Sequence, residues 1–409
     1  MPAHPPCLVH ILATPQGVMG TLRGQLRFLR EQGFAVHVIS SLSDAVARFV
    51  AAEGASYIPV EMRREIAPLD DLRALWRLWL VLRRLRPDIC QVGMPKAGLL
   101  GGLAAWLARV PHRVYMLHGL RLETLSGGKR LLLKWAERIA CRTAHRVICV
   151  SESLRRRAVE LGIVVDERCA VLGAGSDNGL DIARFAESES LRTASDQIRE
   201  DLGIPQDASV VGFVGRLTRD KGVYGLVQAF EQLKKAYPEL HLLLVGAYEE
   251  GDPVPRSTRM KIAIEPRILH VGHVDDASPY YHAMTIVELP SYREGLPTTV
   301  LEAGAAGKPV VGSRVTGMTD AVDDGRTGLL VPVGNVSALA GALAALLDDP
   351  ERSREVGRAG REFVVAYFRQ ETVWTELDNF YRSVLVGFGR VSETVDDSPC
   401  SLARSPTRS

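Results

Sequence analysis

The stretch TIVELPSYREGLPTTVLEAGAAGKPVVGS (285–313) decides how the chain folds. It opens on an apolar strand run, TIVELP (285–290), turns through polar residues into a helical segment, and ends on a second strand run, PVVGS (309–313). Pro297 suits the first turn of that helix, where its missing N–H is an orphan in any case. Strand, helix and strand with near-continuous apolar strands is the pattern of a parallel sheet covered on both faces. The alternation continues outward. GLLVPV (328–333) follows, and SVVGFVG (209–215), LHLLLVGA (240–247) and RILHVG (267–272) precede. The first half repeats it with CLVHILA (7–13), FAVHVIS (34–40), YIPV (57–60), DICQVG (88–93), RVYMLHG (113–119), RVICVS (146–151) and CAVLGAG (169–175). Amphipathic stretches such as 21–31 and 71–86 lie between these runs. Two such sets predict an α/β protein of two doubly wound, Rossmann-like domains.

The expected segmentation is a first domain over 1–182, a polar linker region over 183–208 containing AESESLRTASDQ, and a second domain over 209–370. A C-terminal helix over 371–389 and a disordered tail over 390–409, rich in Ser, Pro and Asp, complete the chain.

Composition narrows the function. At 409 residues, 46% hydrophobic and 24% charged, the chain is globular and too long for one ordinary core. A formal net charge of +2 argues against wholesale nucleic-acid binding. The average hides an asymmetry: residues 1–180 hold 25 Lys and Arg against 15 Asp and Glu, whereas 181–409 hold 25 against 33. The six cysteines form no Cys-x-x-Cys pair and no zinc spacing, which predicts a reducing compartment. The N-terminus lacks a signal-peptide pattern, and the longest apolar run, 98–108, is too short to span a bilayer. A cytoplasmic, non-spanning protein is expected.

In open α/β sheets ligands bind beyond the carboxyl ends of the strands, so the loops after strands are where chemistry should lie. After the first strand, Gly17 and Gly20 could bring backbone amides to a phosphate or sugar at a helix N-terminus, or make a plain tight turn. After SVVGFVG, the run Gly215-Arg216-Leu-Thr-Arg-Asp-Lys221-Gly222 sets two cations among glycines, which suits a diphosphate. After TIVELP, the amides of Gly295 and Leu296 stand at a helix start and can donate to an anion or a sugar hydroxyl. Glu294 in the loop and Glu302 inside the helix can accept hydrogen bonds from sugar diols. His118 ends RVYMLHG; a cleft-facing histidine and a structural one both fit. No Asp-x-Asp pair follows a strand, so no metal site is expected.

Together these motifs resemble the retaining family-4 glycosyltransferases of the GT-B fold, in which two Rossmann-like domains face each other across a cleft. The resemblance covers nearly the whole chain: FVGRL…DKG (213–222), REGLPTTVLEAGAAGKPVV (293–311) and DDGRTGLLV (323–331) occur in the family's order. It implies that Arg216 and Lys221 neutralise the leaving diphosphate, that Glu294 touches the donor sugar, and that Glu302 meets the nucleotide ribose. Gly17, Gly20 and His118 would then face the reacting centre and the acceptor. MPKAGLLGGLAAWLARVPHRVYMLHGLRLET and GAGSDNGLDIARF look like the branch that builds capsular polysaccharides and lipid-linked oligosaccharides on undecaprenyl diphosphate. Asp320 departs from the family's usual Glu, and Val18-Met19 occupy a variable early loop.

The expected function is therefore metal-independent, retaining sugar transfer from a nucleotide diphosphate sugar, UDP-linked rather than GDP-linked, to a polyprenyl-diphosphate-linked saccharide. No cofactor is expected beyond that co-substrate. A soluble acceptor, a GT-B epimerase and a silent sugar-nucleotide binder are the alternatives. The basic first domain is expected to dock peripherally on the inner membrane face. It carries Arg73, Arg77, Arg83, Arg84 and Arg86 beside Trp76 and Trp79, and Arg130, Lys134, Arg138 and Arg142 at four-residue spacing. Leu72, Leu75, Trp76 and Trp79 also fit core-helix spacing, which would bury them on the sheet instead.

Overall fold

The structure, a computed structural model, describes residues 4–63 and 67–386; the expected tail 390–409 and the end of the expected last helix lie outside them. Each of the thirteen apolar runs contains a strand. The first sheet comprises β1 (Cys7–Ile11), β2 (Ala35–Ser40), β3 (Ser56–Pro59), β4 (Ile89–Gly93), β5 (His112–Leu117), β6 (Arg146–Cys149) and β7 (Cys169–Ala170). The second comprises β8 (Val210–Val214), β9 (His241–Val245), β10 (Ile268–Gly272), β11 (Ile286–Leu289), β12 (Val310–Ser313) and β13 (Leu329–Val331). The spatial orders are β3-β2-β1-β4-β5-β6-β7 and β10-β9-β8-β11-β12-β13, and neighbouring strands run parallel. The two doubly wound domains expected from the alternation are the ones observed.

In each sheet the direction of winding reverses once, between β1 and β4 and between β8 and β11. Loops leaving the carboxyl ends of such a pair diverge, and the crevice between them is where doubly wound sheets bind ligands. The segments after β1, β8 and β11 carry Gly17, Arg216 and Lys221, and Glu294 respectively, so the topology itself gathers most of the expected site.

Two apolar cores form, one under each sheet. The polar stretch 183–208 is largely the helix Glu189–Asp201, whose Ser195 and Arg199 are buried. Arg199 donates from Nη1 to the Ala283 carbonyl at 3.1 Å, and Leu180, Phe185, Ile204 and Ala208 join the second core. The last helix, Gln370–Leu385, leaves the second core and crosses to the first, where Leu377 and Tyr381 are buried. The Tyr381 hydroxyl donates to Gln91 Oε1 at 2.6 Å, Trp374 packs on Phe28, and Trp374 Nε1 donates to Asn178 Oδ1 at 2.8 Å. The two chain crossings run side by side: Leu180 N donates to the Phe368 carbonyl at 2.7 Å, and Gln370 N to the Leu180 carbonyl at 3.2 Å.

The domains also touch at the site. A methyl group added at Gly295 would lie 1.8 Å from the carbonyl oxygen of His118, and one added at Gly317 would lie 2.1 Å from the carbonyl oxygen of Gly295. Ser151 Oγ donates to that same Gly295 carbonyl at 2.6 Å, buried in the seam. Ser153 completes it: its amide donates to Asp320 Oδ1 at 3.0 Å, its hydroxyl to Asp320 Oδ2, and the Gly317 amide to the Ser153 oxygen at 2.7 Å. Asp320 is the residue standing where the resembled family often has Glu, and here it closes the domain seam.

Because rigid backbone lies where a side chain at Gly295 would start, Gly295→Ala is expected to lower stability by roughly 1–3 kcal/mol, as overpacking does. Small-angle scattering should show a larger radius of gyration with unchanged circular dichroism. An unchanged radius would mean that the seam yields locally without parting the domains.

Candidate active site

The second domain supplies a compact charged cluster. Lys221 Nζ lies 2.6 Å from Glu294 Oε1, joining the β8 loop to the β11 loop across the winding reversal. Arg293 pairs with Asp220 at 2.5 Å, and the Tyr292 amide donates to the Asp220 carbonyl at 2.8 Å. Desolvation pushes the Asp220 carboxyl up, but the Thr218 hydroxyl and the Arg293 and Lys221 charges outweigh it and hold the group below the usual carboxylate range. Gly222 permits the approach of the two loops: at φ 76°, its α-carbon faces the Pro290 carbonyl with no room for a methyl. Gly215 adopts φ 149°, which also favours glycine, as the chain leaves β8 toward Arg216.

Arg216 is exposed and pairs with Glu249, which stands in the loop after β9. Both expected cations therefore sit beside carboxylates, and Glu249 was not singled out from the sequence. Its only signal was an acidic run, YEEGD, following a strand at the sheet's carboxyl edge.

The helix after the loop begins at Thr298 and runs to Ala305, with Pro297 as its cap residue. The amides of Gly295 and Leu296 donate to no carbonyl or side chain among the described residues. The Leu296 side chain packs against both apolar cores and so belongs to the seam, while its amide is the group expected at the ligand. Glu302 is half-buried and accepts from the Tyr281 hydroxyl at 2.6 Å. Burial pushes its carboxyl above the usual range, against the opposing pull of the Tyr281 bond.

On the facing side, His118 follows β5 and lies with Nε2 3.3 Å from Asp177 Oδ2, while its Nδ1 is buried without a partner. Asp177 belongs to a segment knitted down by Gln25, whose Nε2 donates to the Asp177 carbonyl at 2.9 Å, and by Asn178, whose Nδ2 donates to the Arg23 carbonyl at 3.0 Å. Asp177 too was missed as a site residue, although its segment carried part of the family resemblance.

The glycines after β1 depart from expectation. Gly17 and Gly20 lie inside a short helix, Pro15–Thr21, and not in an open loop. Pro15 starts it and Thr14 caps it, so the Gly17 amide is committed to Thr14 Oγ1 at 3.2 Å. Gly17 packs closely on Met94, which follows β4 at φ 68°, a strained conformation for a residue with a side chain. Gly20 is exposed with open space around it. Lys221, Glu294, Gly295 and His118 are thus brought together at the seam, Arg216 stands beside them on the same loop as Lys221, and Gly20 is left apart. Among the described residues no group of three or more His, Cys, Asp or Glu side chains converges as a metal site.

Comparison with known proteins agrees with this architecture. Residues 16–175 match the glycosyl transferase 4-like domain, and residues 194–363 match glycosyl transferases group 1. The capsular polysaccharide biosynthesis glycosyltransferase CapM of Staphylococcus aureus is 32% identical over 375 residues, spanning 91% of this chain and 96% of that protein. An Escherichia coli UDP-Gal:alpha-D-GlcNAc-diphosphoundecaprenol alpha-1,3-galactosyltransferase is 24% identical over 347 residues, spanning 84% and 88%. Among solved structures, Anabaena HepE in complex with UDP and glucose superposes with a TM-score of 0.77 at 21% identity, over 92% of this chain and 99% of that one. A two-domain fold with its loops gathered at paired winding reversals, matched along nearly its whole length, places the chain in the family-4 glycosyltransferases of the GT-B fold.

Proposed function

We propose that this glycosyltransferase moves a sugar, with retention of anomeric configuration, from a UDP-linked donor to a saccharide carried on a polyprenyl diphosphate at the membrane surface. The observation that carries the donor half is the Lys221–Glu294 pair, held between two loops that diverge from one winding reversal. Each site cation is paired with a carboxylate: Lys221 with Glu294 and Arg216 with Glu249. A diphosphate is the stronger partner for both, because it offers several acceptor oxygens and two charges. Its arrival releases Glu294 to accept hydrogen bonds from the donor sugar. As the sugar–phosphate bond breaks, charge grows on the leaving diphosphate, and cations already in place stabilise it without reorganisation. The amides of Gly295 and Leu296 can add donors, Glu302 is assigned to the ribose hydroxyls, and His118 with Asp177 faces the acceptor side.

The relatives support the acceptor half. The E. coli relative acts, by its name, on a diphosphoundecaprenol-linked sugar, and the S. aureus relative serves capsular polysaccharide biosynthesis. This chain has a surface that fits such a role. Three helices of the first domain, Pro68–Leu85, Pro95–Leu107 and Gly127–Thr143, the middle one packed against both others, expose Trp76 (59%), Trp106 (54%) and Trp135 (47%), with Leu69, Leu72, Leu131 and Leu132 also exposed. The core-spacing reading thus fails for Leu72 and Trp76; Ala74, Leu78 and Leu82 face the core instead. Basic side chains surround the apolar ones, with Arg73, Arg77, Arg83, Arg130 and Arg142 exposed. Arg138 is half-buried and tied to the Gly162 carbonyl at 2.6 Å. Such a mixture of tryptophan and arginine suits an anionic headgroup layer, where each basic residue adds about 1 kcal/mol. The helices Pro95–Leu107 and Gly127–Thr143 start from the same sheet edge as His118, so docking there would bring the site to a membrane-anchored diphosphate. Among the described residues no helix is long and apolar enough to cross a membrane.

Labelled-sugar transfer from UDP-sugars into a membrane extract tests the reaction. Lys221→Ala and Arg216→Ala should each cut turnover by about two to three decades at unchanged secondary structure, the loss typical of one charge-stabilising contact. Transfer should persist in EDTA, because the cations here are side chains; complete, metal-reversible loss would overturn that part of the reading. Co-sedimentation tests the surface. The protein should bind anionic and not neutral vesicles, lose binding in high salt, and bind more weakly after Arg77→Glu with Arg130→Glu or Trp106→Ser with Trp135→Ser. Equal, negligible binding to both vesicle types would indicate a soluble acceptor.

A further inference from the structure

A second concentration of cations lies in the second domain, away from the site loops. The helix Thr298–Ala305 has the Gly295 turn at its amino end; beyond its carboxyl end, Gly307 and Lys308 lead into β12 at the opposite edge of the sheet. There a cavity of about 550 Å³ opens between the helix Glu189–Asp201, the end of the helix Ser278–Ala283 and the helix Pro350–Tyr367. Arg192, Lys308, Arg354, Arg358 and Arg361 line it, against the carboxylates of Glu187 and Asp196.

The cations are placed for an occupant. Arg354, Arg358 and Arg361 follow one another at helical spacing, which puts them along one face of their helix. The side chains of Arg354 and Arg358 make no hydrogen bond or ion pair among the described residues. Arg361 donates from Nη1 to the Ala305 carbonyl at 2.5 Å, which holds it against the cavity wall. Lys308 is half-buried, and its Nζ has one hydrogen-bond partner, the His282 carbonyl at 3.2 Å, while the Glu187 carboxylate acts on it only through space. Burial, and then the nearby Arg199 charge, lower its pKa from 10.5 to about 8. Glu187 is already paired with Arg192 at 2.6 Å. Five cations against two carboxylates leave the concavity net positive, which an entering anion would offset.

We infer that this cavity is a second anion site, distinct from the donor site, for a compact ligand carrying two or more negative charges, such as a phosphate ester or a diphosphate. Its volume lies within the range of small-ligand pockets, and arginine forks at helical spacing offer paired N–H donors to phosphate oxygens. This inference does not rest on the proposed acceptor or on the stereochemistry of transfer.

The test uses inorganic pyrophosphate as the probe on the full chain, with sodium chloride at matched ionic strength as the control. To silence the donor site, the protein carries Arg216→Ala and Lys221→Ala. Pyrophosphate should still raise the melting temperature saturably, beyond the chloride control. Adding Arg354→Ser and Arg358→Ser, both exposed positions, should weaken the apparent affinity at least about tenfold, as loss of two charge-assisted contacts requires. Asp349→Asn, on the same helix but outside the cavity, should leave the pyrophosphate response in place. No saturable response with the cavity intact, or the same response without Arg354 and Arg358, would overturn the inference. Anionic vesicles form the third arm: vesicle binding that falls when Arg354→Ser and Arg358→Ser are added, with no response to pyrophosphate, would assign these cations to lipid headgroups and also overturn the inference.

Discussion

Gly295 has no side chain, and the carbonyl oxygen of His118 lies where one would begin. That backbone-to-backbone approach is the constraint on which the rest of the site depends. It sets the end of β5 against the turn that starts the helix Thr298–Ala305, so the backbone of His118 and Gly119 lies against the Glu294–Gly295 turn of the second domain. Ser151, Ser153, Gly317 and Asp320 then lock the approach with hydrogen bonds that only this spacing allows. The unbonded amides of Gly295 and Leu296 follow from the same geometry, because a turn pressed against a neighbouring domain cannot fold back to satisfy them.

Electrostatics complements that frame. The acidic second domain keeps its site cations beside carboxylates, so on the proposed reading a diphosphate would exchange partners with them instead of filling a bare positive hole. Exchange of this kind favours a ligand with several closely spaced acceptors over a simple counter-ion. The basic first domain differs: its charges stand among exposed tryptophans and leucines, on a face that no other described residue covers.

Much of this was legible in the residues, for identifiable reasons. Parallel strands buried on both faces must be apolar throughout, so all thirteen could be found, and the loops following them inherited the functional reading. Lys221 and Glu294 were visible because their types fit the chemistry at a strand's end. Glu249 and Asp177 were not, since their relevance comes from strands that meet only in three dimensions. Polarity concealed the helix Glu189–Asp201, which buries only a narrow stripe. Periodicity misjudged Leu72 and Trp76, because helical spacing defines a face without saying whether anything lies against it. Glycine at 17 and 20 suggested an open loop, but Thr14 and Pro15 outweighed it as a helix start.

The crossing of the last helix back onto the first domain bears on how the protein is made. A ribosome delivers the first domain's seven strands early, yet Leu377 and Tyr381, which close its core, emerge more than two hundred residues after β7. Until they arrive, Gln91 lacks its tyrosine partner and Phe28 its tryptophan, so the nascent domain presents an unsealed groove. The second domain, which contains no such late-arriving piece from beyond its own span, can complete its core first. Synthesis order and completion order are therefore opposite, and a chain stopped before the last helix would leave the domain made first as the one still open.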